Sequence, residues 1–178
     1  MNKEMMKRWN SVVSDEDTVY YIGDFSMRFE VAQIWAPALR GTKILVHGNH
    51  DKTWIGRKDF QEYVQKYKNL GFLEIVTEMK LKLPLFGQET VVKLHHMPYS
   101  HKDRPKEANK PDKYEKYRPI DEGEILLCGH VHDAWEKIGR QVNVGVDVNN
   151  FTPITIEEIE RKLSMPDSVA KGNYRDSL

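Results

Sequence analysis

The chain has 178 residues, 39% of them hydrophobic and 30% charged, enough for one domain with a substantial core. Its 27 basic and 27 acidic side chains cancel, which argues against a dedicated, sequence-independent nucleic-acid binder with its basic field. Cys128 is the only cysteine, so an intrachain disulfide is excluded. The opening segment is charged and no apolar run is long enough for a membrane span, so a cytoplasmic protein without membrane attachment is expected.

Met5, Trp9, Val12 and Val13 recur at helical spacing and predict an opening amphipathic helix that ends at residues 15–17. Residues 18–22 follow as a buried strand running into Gly23-Asp24. Residues 30–39 read as a short helix, broken by Pro37 and closed by Gly41. The next strand, residues 42–46, ends in His47-Gly48-Asn49-His50-Asp51. Phe60, Val64 and Tyr67 mark a further helix, stopped near residues 69–71, after which the period becomes that of strands. Residues 74–83 and 89–94 flank Pro84 and Gly87 and predict a hairpin leading to His95-His96-Met97-Pro98. Residues 101–119, with three prolines and seven Lys or Arg, predict a long loop with a helical turn near residues 114–117. Residues 124–128 return to strand before Gly129-His130-Val131-His132. Further strands lie within residues 135–146, joined through Gly139-Arg140, and residues 156–163 form a last helix. One domain over residues 1–164 with a frayed tail over residues 165–178 is expected. Alternating helices and strands followed by consecutive strands predict an α/β sandwich.

Four clusters of metal-binding residue types therefore sit at predicted strand ends: Gly23-Asp24, Gly48-Asn49-His50-Asp51, His95-His96-Met97-Pro98 and Gly129-His130-Val131-His132. Strand ends are where an α/β sheet gathers a site, because side chains converge in the crevice beyond the strands. In an extended segment residues two apart face the same way, so His130 and His132 are expected to offer both imidazoles to one cavity. Either His95 or His96 can be the inward residue on this ground alone. His47 reads as a structural histidine in an apolar strand, and His101 as a solvated residue of the charged loop. Trp54 is a candidate wall near Asp51, whereas the other tryptophans read as core or rim.

Taken in order, these four motifs resemble the calcineurin-like metallophosphoesterase superfamily in its small bacterial and phage form. The resemblance spans Asp24 to His132, and the opening helix and Asn143-Val144-Gly145-Val146-Asp147 extend it. It implies a four-layer αββα sandwich with two mixed β-sheets and two divalent transition metals (Mn, Fe, Zn or Ni) between them. It makes Asp24 the carboxylate that bridges both ions. Asn49, His96 and His130 would complete the shell of the second metal, with His96 preferred to His95 because the family histidine stands two before the proline. His132 would bind the first metal. The implied chemistry is hydrolysis of phosphomonoesters or phosphodiesters by a metal-bound hydroxide, with His50 as general acid and Asp51 orienting it. The family acts on proteins, nucleotides and nucleic acids, so the motifs fix the reaction type and leave the phosphoester substrate open.

One part of the pattern is absent. Family members carry an upstream Asp-x-His motif on a first strand, and no histidine precedes His47 here. The expectation is a fold lacking that strand, with ligands kept for one metal and only Asp24 and His132 left for the other. Hence the alternative reading: a catalytically disabled member that binds one metal and acts as an interaction module. Metallo-β-lactamase-like hydrolases also pair histidines, but their His-x-His-x-Asp-His pattern is not continued after His132.

Overall fold

The computed structural model describes residues 2–99 and 113–169. Helix α1 (Asn2–Val12) is followed by β1 (Thr18–Ile22), α2 (Phe29–Trp35), β2 (Thr42–Val46), α3 (Phe60–Lys68) and β3 (Phe72–Val76). The chain then crosses to β4 (Glu78–Leu85), β5 (Gln88–His95), β6 (Ile125–Cys128), β7 (Lys137–Ile138) and β8 (Gln141–Asn143), and closes with α4 (Ile156–Leu163). Two sheets result: three strands in the order β1-β2-β3, and five in the order β4-β5-β6-β8-β7. The first is wholly parallel and only the second is mixed.

Local chemistry explains the elements. In α1 the buried Trp9 stacks on Tyr21 of β1 at 6.1 Å, and its indole N–H donates to the Arg40 carbonyl at 3.0 Å. Pro37 cannot continue the α-helical ladder, so α2 gives way to a 3-10 turn over Ala36–Ala38. At α4, Thr155 caps the first turn by accepting the Glu158 amide at 3.4 Å, and Ile159 faces the core. The β4–β5 hairpin turns through Phe86-Gly87, both at positive φ, the geometry of a two-residue type I′ turn. Pro84 is tolerated because β4 is an edge strand.

The core has layers. Ala32, Ala36, Leu45, Tyr67 and Phe72 pack α2 and α3 on the first sheet. Ile22 and Val46 meet Leu94, Leu127, Val142 and Ile159 between the sheets, so α4 joins the second side, in contact with β4 and β8. Leu126, Cys128, Val131 and Trp135 form a cluster on the far face of the second sheet. This is the layered αββα arrangement expected from the resemblance. Among the described residues, no helix is long and apolar enough to cross a membrane.

Two features differ from the sequence reading. Residues 74–83 are not one strand: the chain changes sheets at Thr77, with β3 parallel to β2 and β4 antiparallel to β5. No glycine or proline marks that crossing, so alternation alone concealed it. Residues 165–169 are not frayed. Ser168 accepts the amides of Glu136 and Lys137 at 3.1 Å each and donates its own to the Lys137 carbonyl at 2.8 Å, so the segment runs along β7. Residues 170–178, and His101 with most of the basic loop, lie outside the described residues. As expected of a fold lacking the first strand, β1 pairs only with β2 among the described residues. Its other edge faces a cavity of about 660 Å³ whose walls include Leu81, Leu94, Leu127, Val144 and Ile159.

Candidate metal centre

Strand register assembles the site. Ile22 pairs with Val46, so Gly23-Asp24 and the loop of residues 47–51 leave adjacent parallel strands together. Leu94 pairs with Leu127, which brings His95-His96 beside Gly129-His130, and the Gly129 amide donates to the His96 carbonyl at 3.1 Å. The two sheets then meet where His96 Nδ1 donates to the Ile22 carbonyl at 3.1 Å.

Two glycines permit this closeness. A Cβ on Gly23, whose φ is +83°, would lie 2.0 Å from His96 Nδ1. A Cβ on Gly48 would lie 2.2 Å from Asp24 Oδ1. Asp24, His130 and His132 themselves occupy the left-handed region, with φ of 54°, 64° and 47°. Backbone held this way in non-glycine residues costs of order 1–3 kcal/mol each and gathers at functional sites.

Asp24, Asn49, His96 and His130 lie together. His96 Nε2 is 3.3 Å from Asp24 Oδ2 and 3.1 Å from Asn49 Oδ1, and His130 Nδ1 is 3.0 Å from the same amide oxygen. Because His96 Nδ1 faces the Ile22 carbonyl, the neutral ring carries its proton there and turns the Nε2 lone pair toward the carboxylate and amide oxygens. Acceptor atoms crowded at about 3 Å repel unless a proton or a cation lies among them. Carboxylate, amide oxygen and two imidazoles suit a borderline divalent transition metal, so the residues present fit such an ion. Among the described residues no three His, Cys, Asp or Glu side chains alone form a metal-holding group. Asn49 is the link, since both imidazoles reach its oxygen.

Electrostatics agree with the geometry. Burial works against the charge of Asp24, but hydrogen bonding and attraction from His96, with the His50 amide at 2.9 Å, hold its carboxyl down at about 2. Burial also disfavours a charged His96, yet Asp24 outweighs it and the imidazole is raised. Burial, then the nearby His96, pushes His130 down to about 3.

The remaining candidates are placed differently. His95 points into the core, where its Nδ1 accepts the Met97 amide at 2.9 Å, and burial lowers it to about 4. His47 is buried edge-on to Trp54 at 5.4 Å. His130 and His132 both line the cavity, although residues 129–134 form a tight turn rather than the expected extended segment. In this turn the Val131 amide bonds to the Gly129 carbonyl at 2.7 Å. His132 is directed to Asp147, with Nδ1 3.2 Å from Oδ2, at the rim of the same cavity. Nor does Asp51 orient His50. It is fully buried and accepts the amides of Ser26 and Gly48 at 3.1 and 2.8 Å, which shapes the loop. Burial first, and the charge of Asp24 second, raise it to about 7. The half-buried His50 ring makes no hydrogen bond among the described residues.

Three contributors were missed from sequence. Asn143 is fully buried and donates to the carbonyls of His132 and Trp135 at 2.7 and 2.8 Å, fixing the turn that carries both histidines. Asp147 meets His132, and Tyr114 meets Asn49. An Asn at the end of a predicted strand, four residues before an Asp, was the available signal for the first two.

Comparison with known proteins places this geometry. The family model for calcineurin-like phosphoesterases matches residues 3–154. The chain is 33% identical over 154 residues to the Gene 66 protein of Mycobacterium phage L5, covering 80% of this chain and 72% of that protein. It is 26% identical over 162 residues to the uncharacterized protein MJ1445 of Methanocaldococcus jannaschii, covering 89% and 73%. Among solved structures it is similar to AQ665, a protein of unknown function from Aquifex aeolicus, with 27% identity and a TM-score of 0.63 over 90% of this chain and 83% of that one. With the family model spanning most of its length and the phage relative above 30% identity, the chain belongs to the calcineurin-like phosphoesterase family, whose members are metal-dependent phosphoester hydrolases.

Proposed function

We propose that this chain hydrolyses phosphomonoesters or phosphodiesters with a divalent transition metal held by Asp24, Asn49, His96 and His130. The convergence of those four side chains, from four separate strand ends, carries the proposal. A divalent ion bound there supplies a Lewis acid that acidifies water and neutralises phosphoryl charge.

The chain's own groups do the rest. Asp24 stays ionised throughout the physiological range and anchors the His50 backbone through the amide. The bond from His96 to Ile22 holds the tautomer that leaves Nε2 free for an ion. His50, tied at its backbone and with no ring hydrogen bond among the described residues, is the group that would hold a proton for the leaving oxygen. Asp51 stabilises the loop between them.

The one-metal reading keeps a specific observation in its favour. His132 pairs with Asp147 rather than with the other four ligands, and no Asp-x-His motif is present. The test is metal content and turnover together. Purified protein would be screened on nitrophenyl phosphate, its bis ester and cyclic nucleotides with Mn, Fe, Zn or Ni. Metal-dependent turnover that His96→Ala abolishes supports hydrolysis. Metal bound at the four residues with no turnover on any of these esters favours the interaction module.

A further inference from the structure

Asn49 is a ligand that has a wrong way round. Its amide can turn about the last side-chain bond, exchanging an oxygen that binds a cation for an NH₂ that repels it. The two carboxylate oxygens of Asp24 leave no such choice, and the Ile22 carbonyl already holds the tautomer of His96. Some group must therefore hold the amide, and Tyr114 is in contact with it: Asn49 Nδ2 donates to the Tyr114 hydroxyl at 3.1 Å. The same bond leaves Oδ1 facing His96 and His130. The Tyr114 ring also stands edge-on to His130, with centroids 5.5 Å apart and planes at 86°.

Tyr114 is itself held. It opens the 3-10 turn Glu115–Tyr117, and the Tyr117 amide donates back to its carbonyl at 2.8 Å. Tyr117 packs on Trp54 at 4.8 Å, and Arg118 donates to the Pro98 carbonyl at 3.1 Å. This segment between β5 and β6 is thus fastened on both sides of the site, to the loop after β2 and to the end of β5. We infer that Tyr114 is a positioning residue that sets the orientation of the Asn49 amide and so the metal affinity of the site. The inference rests on the metal-dependent reading above, since it assigns to Tyr114 no contact with substrate.

The experiment is cobalt(II) titration of the full chain, read by the visible absorption of the bound ion and by equilibrium dialysis. Wild type, His96→Ala, Tyr114→Phe, Asn49→Asp and the double variant Asn49→Asp/Tyr114→Phe are compared. Phenylalanine keeps the ring contact with His130 and removes only the hydroxyl. Loss of such an outer partner weakens metal binding by about 10- to 100-fold, and Tyr114→Phe is expected to do so and to alter the cobalt spectrum. Aspartate in place of Asn49 has two equivalent oxygens and needs no orientation. In that background the tyrosine substitution should therefore change the affinity less than about twofold. A merely structural tyrosine would lower affinity equally in both backgrounds, and that result, or no effect in either, overturns the inference. If wild type fails to bind cobalt, or His96→Ala binds it as well, the metal-dependent reading itself fails and the two failures are told apart.

Discussion

At the scale of single residues, adjacent histidines have opposite fates. His96 faces Asp24 and Asn49, whereas His95 is tied to the Met97 backbone. His96→Ala should abolish metal binding while leaving the fold largely intact. His95→Ala should keep metal binding and lower stability, since a buried amide loses its acceptor at a cost of about 1–3 kcal/mol. Metal analysis beside thermal unfolding separates them, and the reverse pattern would reassign the ligand. His50→Ala should leave metal content nearly unchanged and reduce turnover by roughly a hundred- to ten-thousand-fold, more for poor leaving groups than for nitrophenol. Equal loss of metal and activity would make His50 a ligand. Gly23→Ala combines a positive φ with a Cβ only 2.0 Å from His96 Nδ1. It should displace that imidazole and cost metal affinity, and a variant that binds metal normally would show that the loop can move aside.

Among the elements, β1 is the exception. Its residues Val19, Tyr20 and Tyr21 are half-buried while Ile44, Leu45 and Val46 of β2 are buried, because only one of its edges is paired. The expected consequence is hydrogen exchange that is faster for the unpaired amides of residues 18–22 than for those of residues 42–46. Equal protection would mean that something covers the open edge in solution. How much of this was legible follows from the nature of each signal. Period and breakers located α1, β1, β2, α3, the β4–β5 hairpin, β6 and α4, because each has a clear apolar pattern bounded by Gly, Pro or Asp. The division of residues 74–83 between two sheets was hidden, since a strand that changes sheets keeps its alternation. The side chains of Asp24, Asn49, His96 and His130 were legible as motifs at strand ends. The turn that carries His130 and His132 was not, because it depends on left-handed backbone at both residues, held by Asn143. Tyr114 was invisible for a similar reason: it reaches Asn49 across 65 positions, from a long loop in which the sequence marks only a helical turn.

For the whole molecule, buried titratable groups set how the metal-free protein responds to acid. His47 and His95 are lowered to about 4 and His130 to about 3, burial being the first cause in each case. Their unfolded value is 6.5. Each therefore contributes stability that is present above 6.5 and is lost as pH falls toward the folded value, because the unfolded chain takes up a proton that the folded chain refuses. Asp51 has the opposite sign. Raised from 3.8 to about 7, it contributes stability present below 3.8 and lost as pH rises through 7. His96, raised by its contact with Asp24, acts in the same direction as Asp51: its contribution is present below 6.5 and is lost as pH rises beyond that value. The three lowered histidines thus oppose two raised groups, and the chelated protein should unfold at a lower temperature at pH 5 than at pH 7. Asp51→Asn removes one of the opposing groups, so its melting temperature should fall more steeply over the same interval, whatever its absolute value. Scanning calorimetry in the presence of a chelator reads both slopes. A melting temperature that rises on acidification, or a shallower slope in Asp51→Asn, would show that the buried histidines do not govern the acid limb.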